Sequence, residues 1–119
     1  MTPNMKMKTV FIVDDDADVR ESLADALGAA GYTVLLASNG KEAFGLLPTL
    51  QRPCAILLDL TMPVMNGIEF HKALRAAPAW DDIPVLISTS DPASAPKGVP
   101  VMKKPVSLAS LLTRVAALF

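Results

Sequence analysis

Short apolar runs recur along the chain, and each stops at a polar or turn-forming group. "KTVFIV" (8–13) runs into three aspartates, "YTVLLAS" (32–38) into Asn39 and Gly40, and "CAILLD" (54–59) ends on a carboxylate. "IPVLIST" (83–89) ends in hydroxyls, and "GVPVM" (98–102) is a weaker fifth run ahead of two lysines. Runs this short with little polar alternation predict strands buried on both faces, as in a parallel sheet.

Between the runs the apolar period changes to that of a helix. In "DADVRESLADALGAAG", Val19, Leu23, Ala26, Leu27 and Ala30 recur on one face; Asp18 and Glu21 fit a capping box, and Gly31 fits the stop. "NGKEAFGLL" opens with Asn39 as N-cap and Glu42 three residues on, and Pro48 limits it. "GIEFHKALRAA" (67–77) places Ile68, Phe70 or His71, Leu74 and Ala77 in register. "SLASLLTRVAAL" (107–118) has Ser107 as N-cap and an apolar stripe of Leu108, Leu111, Leu112, Val115 and Leu118. These faces are read as packing surfaces. Strands alternating with helices predict an α/β fold: a parallel sheet with helices on both faces.

The 119 residues suit a single domain over 1–119, with 1–7 as a poorly ordered tail. A chain 51% apolar and 19% charged can fill a core. A net charge of −1 gives no reason to expect nucleic acid. No run approaches the ~20 apolar residues of a membrane span, and no signal-peptide stretch precedes Asp14, so the expected location is cytoplasmic. One cysteine, Cys54, excludes an internal disulfide and speaks against a cysteine zinc site; in an apolar strand it reads as an inert buried thiol.

In doubly wound folds ligands sit outside the carboxyl ends of the strands. Asp14, Asp15 and Asp16 follow the first strand, Asp59 ends the third, Ser88 to Ser90 end the fourth, and Lys103 and Lys104 follow the fifth. One sheet edge can therefore gather them. Two carboxylates ~4 Å apart repel by about 4 kcal/mol at an effective dielectric of ~20, so Asp14, Asp15 and Asp59 together need a cation. Oxygen ligands without His or Cys favour a hard ion, Mg²⁺ or Mn²⁺. A lysine and a hydroxyl across the pocket would complete a phosphoryl site, and a carboxylate can be the nucleophile.

"VDDD" after the first strand, "LLDLTMPVMNG" around the third, "PVLISTS" on the fourth and "KKP" after the fifth occur in this order. In this the chain resembles a response-regulator receiver domain of bacterial two-component signalling, of the stand-alone, chemotaxis-regulator-like kind, over nearly its whole length. The resemblance implies a flavodoxin-like five-stranded sheet in the order 2-1-3-4-5. It implies that Asp59 accepts a phosphoryl group from a sensor histidine kinase or a histidine phosphotransfer protein. Asp15 would bind Mg²⁺ directly, Asp14 would assist, and Thr61 would offer its backbone carbonyl. Thr89 would bond a phosphoryl oxygen and shift on activation. Lys104 would pair with the phosphoryl group, or with Asp59 in its absence, and Lys104–Pro105 would be cis.

Other residues read as ordinary structure. Asp16 sits near a helix N-terminus and Lys103 in solvent. His71 is a surface or boundary histidine, and Trp80, Met62 and Met65 pack loops.

The family pattern breaks at "SDPASAPKG" (90–98), where Pro92, Pro96 and Gly98 leave no room for the usual fourth helix. That helix is expected to be absent or reduced to a turn, and Val101 stands where an aromatic is usual. A patch of sheet or last-helix surface would then be less covered, for a partner or a second copy to cover in a homodimer. With no output domain after the last helix, the readout is expected through protein contacts, as a stand-alone switch or phosphorelay shuttle that catalyses only its own phosphorylation and dephosphorylation. The runner-up is a degenerate adaptor that binds regardless of phosphorylation. A Mg²⁺-dependent aspartyl-phosphate hydrolase is disfavoured, because Thr61 stands where a general acid is needed.

Overall fold

A computed structural model describes residues 7–119. The expected disordered tail falls on residues outside these, apart from Met7. Five parallel strands, β1 (Thr9–Val13), β2 (Thr33–Ala37), β3 (Cys54–Asp59), β4 (Val85–Thr89) and β5 (Val101–Lys103), pair in the order β2-β1-β3-β4-β5. Four helices, α1 (Ala17–Ala29), α2 (Gly40–Leu46), α3 (Gly67–Arg75) and α4 (Leu108–Ala116), lie between and after them.

Strand side chains alternate between the two faces of the sheet. Phe11, Val13, Ile56, Leu58, Val85 and Ile87 share one core with Ala43 of α2 and Phe70 and Leu74 of α3. Val10, Ile12, Leu57, Leu86 and Met102 share the other with Leu23 and Leu27 of α1 and Leu111 and Val115 of α4. Helices therefore cover both faces, which is why β1, β3 and β4 show no polar alternation. Each fully buried large side chain contributes ~1.5–3 kcal/mol.

Local signals set most helix ends. Asn39, Asn66 and Ser107 cap α2, α3 and α4, each accepting from a backbone N–H three residues on. Gly31 follows α1 with φ +98°, a left-handed stop that glycine adopts without cost. The expected Asp18–Glu21 box does not form. Asp16 is the N-cap of α1, and its side chain accepts from Asp18 N and Val19 N. Its own N–H is held by Asp14 Oδ1 at 2.9 Å, which turns the Asp16 side chain onto the helix and leaves Asp18 inside the first turn.

On α3, Phe70 rather than His71 fills the core, and Ile68 is exposed. The helix stops at Arg75 rather than 77, just ahead of Pro78, whose ring disfavours a helical residue before it. On α4, Leu108 is exposed and Leu111 and Val115 carry the buried stripe.

No α-helix joins β4 to β5; a single 3-10 turn, Pro92–Ser94, stands there. Of the two surfaces expected to be less covered, the sheet is covered, whereas Leu108 of the last helix is exposed. Val85 and Ile87 are buried, and Ala95 and Val99 of the connection pack onto their core. Val101 is half-buried on β5 and brings no ring.

Asn66 and Glu69 form a reciprocal capping box on α3: the Asn66 side chain accepts from Glu69 N at 2.9 Å and Glu69 returns to Asn66 N at 3.1 Å. Asn66→Ala is expected to cost about 1 kcal/mol of stability in a urea titration. A change below a few tenths would show that the box contributes little here.

Candidate functional site

Register brings the acids together. Val13 pairs with Leu58, so Asp14 and Asp59 emerge at neighbouring strand ends; Asp59 lies opposite Ser88, and Thr89 opposite Lys103. One carboxylate oxygen from each of Asp14, Asp15 and Asp59 lies within 4.8 Å of the others. Asp14 and Asp59 are buried, at 2% and 6% exposure, while Asp15 is open to solvent. Lys104 reaches across from the end of β5, its Nζ 3.0 Å from Asp14 Oδ2 and 3.4 Å from Asp59 Oδ1.

The electrostatics follow from this crowding. Burial first, and then the Asp14 charge, push the Asp59 carboxyl up from 3.8 to about 6, against the pull of Lys104 and the Thr61 N–H. Burial works against the Lys104 ammonium, but Asp14 and Asp59 outweigh it and hold its pKa above the ordinary lysine value. One lysine cannot neutralise three acids. An all-oxygen cluster with one exposed member fits a hard divalent cation that keeps part of its water shell.

The other expected residues stand around this cluster. The Thr61 N–H donates to Asp59 Oδ1 at a long 3.4 Å, and its side chain is exposed. Thr89 is buried at the end of β4, and its hydroxyl accepts from Asp91 N at 3.1 Å rather than meeting the acids. The Lys104–Pro105 peptide is cis, as is Arg52–Pro53, which was not anticipated. Lys104, expected to pair with Asp59 in the absence of a phosphoryl group, lies 3.4 Å from that acid and closer, at 3.0 Å, to Asp14.

Several residues were read as structural. Lys103 is exposed, and Asp16 is a cap. Met62 is buried in the core, Met65 packs beside it, and Trp80 meets Phe44 edge-on with centroids 5.8 Å apart. Burial raises the Cys54 thiol above its ordinary pKa, as befits an inert group. His71 is half-buried, and burial followed by Arg75 lowers its pKa below the ordinary histidine value.

Two residues of the site escaped the sequence. Gly67 opens α3 directly beneath the acid: its N–H donates to Leu60 O at 2.9 Å, and a Cβ there would run into the Asp59 carbonyl. Arg20 on α1 donates from Nη1 to the Asp14 backbone carbonyl at 2.6 Å. The glycine was visible after "MPVMN" as a turn residue, but its contact with Asp59 was not; Arg20 carried no signal beyond lying off the apolar stripe.

Comparison with known proteins agrees with this geometry. The family model for the response regulator receiver domain matches residues 10–116. The chain is 37% identical to the response regulator MprA of Mycolicibacterium vanbaalenii over 116 aligned positions, covering 92% of this chain and 49% of that protein. It thus spans about half the length of the curated relatives it matches. Among solved structures, the chemotaxis response regulator CheY4 of Vibrio cholerae superposes with a TM-score of 0.83 at 30% identity, covering 96% of this chain and all of that one. A putative response regulator from Chloroflexus aurantiacus gives 0.85 at 31% identity, over 95% and 98% of the two chains. No described helix is long and apolar enough to cross a membrane. On sequence, fold and the placement of its acids, the chain belongs to the response regulator receiver domain family, the signalling modules of two-component systems.

Proposed function

We propose that this receiver takes a phosphoryl group onto Asp59 from the phosphohistidine of a histidine kinase or histidine phosphotransfer protein. It then acts through protein–protein contacts, as a stand-alone switch or phosphorelay shuttle. The observation that carries this reading is the placement of Asp59: a buried carboxylate at a strand end, within 4.8 Å of two further acids and 3.4 Å from a lysine.

Asp14, Asp15, Asp59 and the Thr61 carbonyl would hold Mg²⁺, or Mn²⁺ in its place. The ion would supply positive charge that offsets the acids and the phosphoryl oxygens. With a pKa of about 6, Asp59 is mainly ionised near neutral pH and can act as the nucleophile. Its oxygen attacks phosphorus, the P–N bond to the donor histidine breaks, and the imidazole leaves with that electron pair. The product is an acyl phosphate on Asp59. Lys104 is within reach to move from Asp14 onto a phosphoryl oxygen, and the Thr89 O–H would donate to another phosphoryl oxygen. Next to the site, a groove of about 580 Å³ lined by Val19, Leu23, Pro105, Val106 and Leu108 offers an apolar seat for a protein donor.

The test is phosphoryl uptake. With Mg²⁺ and acetyl phosphate, intact mass should show one added phosphoryl group, lost in Asp59→Asn and on removing the metal with a chelator. A protein that neither gains the group nor binds beryllofluoride would turn the assignment to an adaptor that works without phosphorylation, a role the helix-less β4–β5 connection favours.

A further inference from the structure

We propose that Arg20 is a positioning residue of the acidic cluster: it holds the peptide between Asp14 and Asp15, and so aims both carboxylates at the cation. The inference rests on the metal-dependent reading above.

The backbone leaving β1 is pinned one peptide at a time. The Asp14 N–H donates to Ala37 O of β2 at 3.1 Å, which fixes the peptide entering Asp14. The Asp16 N–H donates to Asp14 Oδ1 at 2.9 Å, which fixes the peptide leaving Asp15. Between them lies the Asp14–Asp15 peptide, and the Arg20 guanidinium is what holds its carbonyl, at 2.6 Å. A hydrogen bond from a charged donor is about twice as strong as a neutral one, and this one is half-buried.

No described carboxylate forms an ion pair with Arg20, and the Asp14 carbonyl is the only hydrogen-bond acceptor of its guanidinium among the described residues. The guanidinium is therefore committed to this contact. Asp15 makes the contact matter. Its carboxylate is exposed and accepts no hydrogen bond from the described residues, so only the backbone, through the direction of the Cα–Cβ bond, constrains where it can reach. Asp16 closes the unit by capping α1, which places Arg20 one turn along the helix and over the Asp14 carbonyl. The helix start and the acid pair are thus one rigid piece.

Groups that orient metal ligands typically carry 10–100-fold in metal affinity. The experiment is a calorimetric Mg²⁺ titration of the wild type, Arg20→Ala, Arg20→Lys and Arg75→Ala. Arg75 serves as the comparison because it makes the same kind of bond, to the Asp81 and Ile83 carbonyls at 2.7 and 2.8 Å, at the far end of α3. Arg20→Ala should weaken Mg²⁺ about tenfold, Arg20→Lys should recover part of that, and Arg75→Ala should lower stability with the Mg²⁺ affinity intact. In the metal-free protein the Asp15 and Asp16 amide resonances should move in Arg20→Ala. Unchanged affinity and resonances in Arg20→Ala, or equal weakening by Arg75→Ala, would overturn the role. A wild type that takes up no Mg²⁺ would remove the metal reading itself and this role with it.

Discussion

Asp59→Asn should make the metal-free protein more stable near neutral pH, by up to about 3 kcal/mol, while abolishing phosphoryl uptake. The Asp59 carboxyl is raised from 3.8 to about 6, chiefly by burial and then by Asp14. A raised acid pKa means that the folded state binds the proton more tightly than the unfolded chain. That contribution is full below about pH 4 and is lost as pH rises through about 6. A shift of about two units corresponds to roughly 3 kcal/mol, as an upper bound. The wild type should therefore lose stability across that window in the presence of a chelator, and Asp59→Asn should lose less. Adding Mg²⁺ should restore the wild type and leave the variant little changed. Urea titrations at several pH values, with and without Mg²⁺, read all of this. An Asp59→Asn protein no more stable than the wild type at neutral pH would show that Lys104 already neutralises the acid.

Gly67→Ala should be severe. An added Cβ would meet the Asp59 carbonyl and lie 2.8 Å from Leu60 Cα and 3.0 Å from the Asp59 carbonyl carbon. These are backbone atoms of β3 and its exit, and they cannot yield as the tip of a side chain could. The cost is expected at ~3–5 kcal/mol, a large share of the ~5–15 kcal/mol that holds a domain this size. The substitution also presses on the acceptor, so any folded fraction should bind Mg²⁺ more weakly. Thermal melting together with a Mg²⁺ titration tests both parts. A wild-type melt would mean that α3 can back away from Asp59.

How much of this was legible in the sequence differs from element to element. β3 and β4 were plain because both faces are covered, which forces an unbroken apolar run. Asn39 and Ser107 were legible as caps because the signal is local: one side chain and a backbone N–H three residues away. The missing helix was legible for the same reason, since Pro92 and Pro96 obstruct it whatever surrounds them. The cap of α1 was misread because the acids at 14, 15, 16 and 18 compete for that position by type. The choice was made by Asp14, whose carboxylate takes the Asp16 N–H. Of the sheet and last-helix surfaces expected to be less covered, the sheet is not, because Ala95 and Val99, in a segment with no periodic pattern, pack onto its core; Leu108 of the last helix is exposed.

By itself, then, the sequence determined the order of elements, the parallel sheet and the identity of the acids and the lysine, because these rest on short-range pattern and on residue type. The tertiary structure decided what each group touches. Lys104 lies closer to Asp14 than to Asp59, although 90 residues separate it from Asp14 and 45 from Asp59. Gly67 is pressed against the acceptor strand, and Arg20 holds the Asp14 carbonyl. Those contacts depend on strand register and helix placement to within an ångström or so, and residue type and spacing along one chain carry no such information.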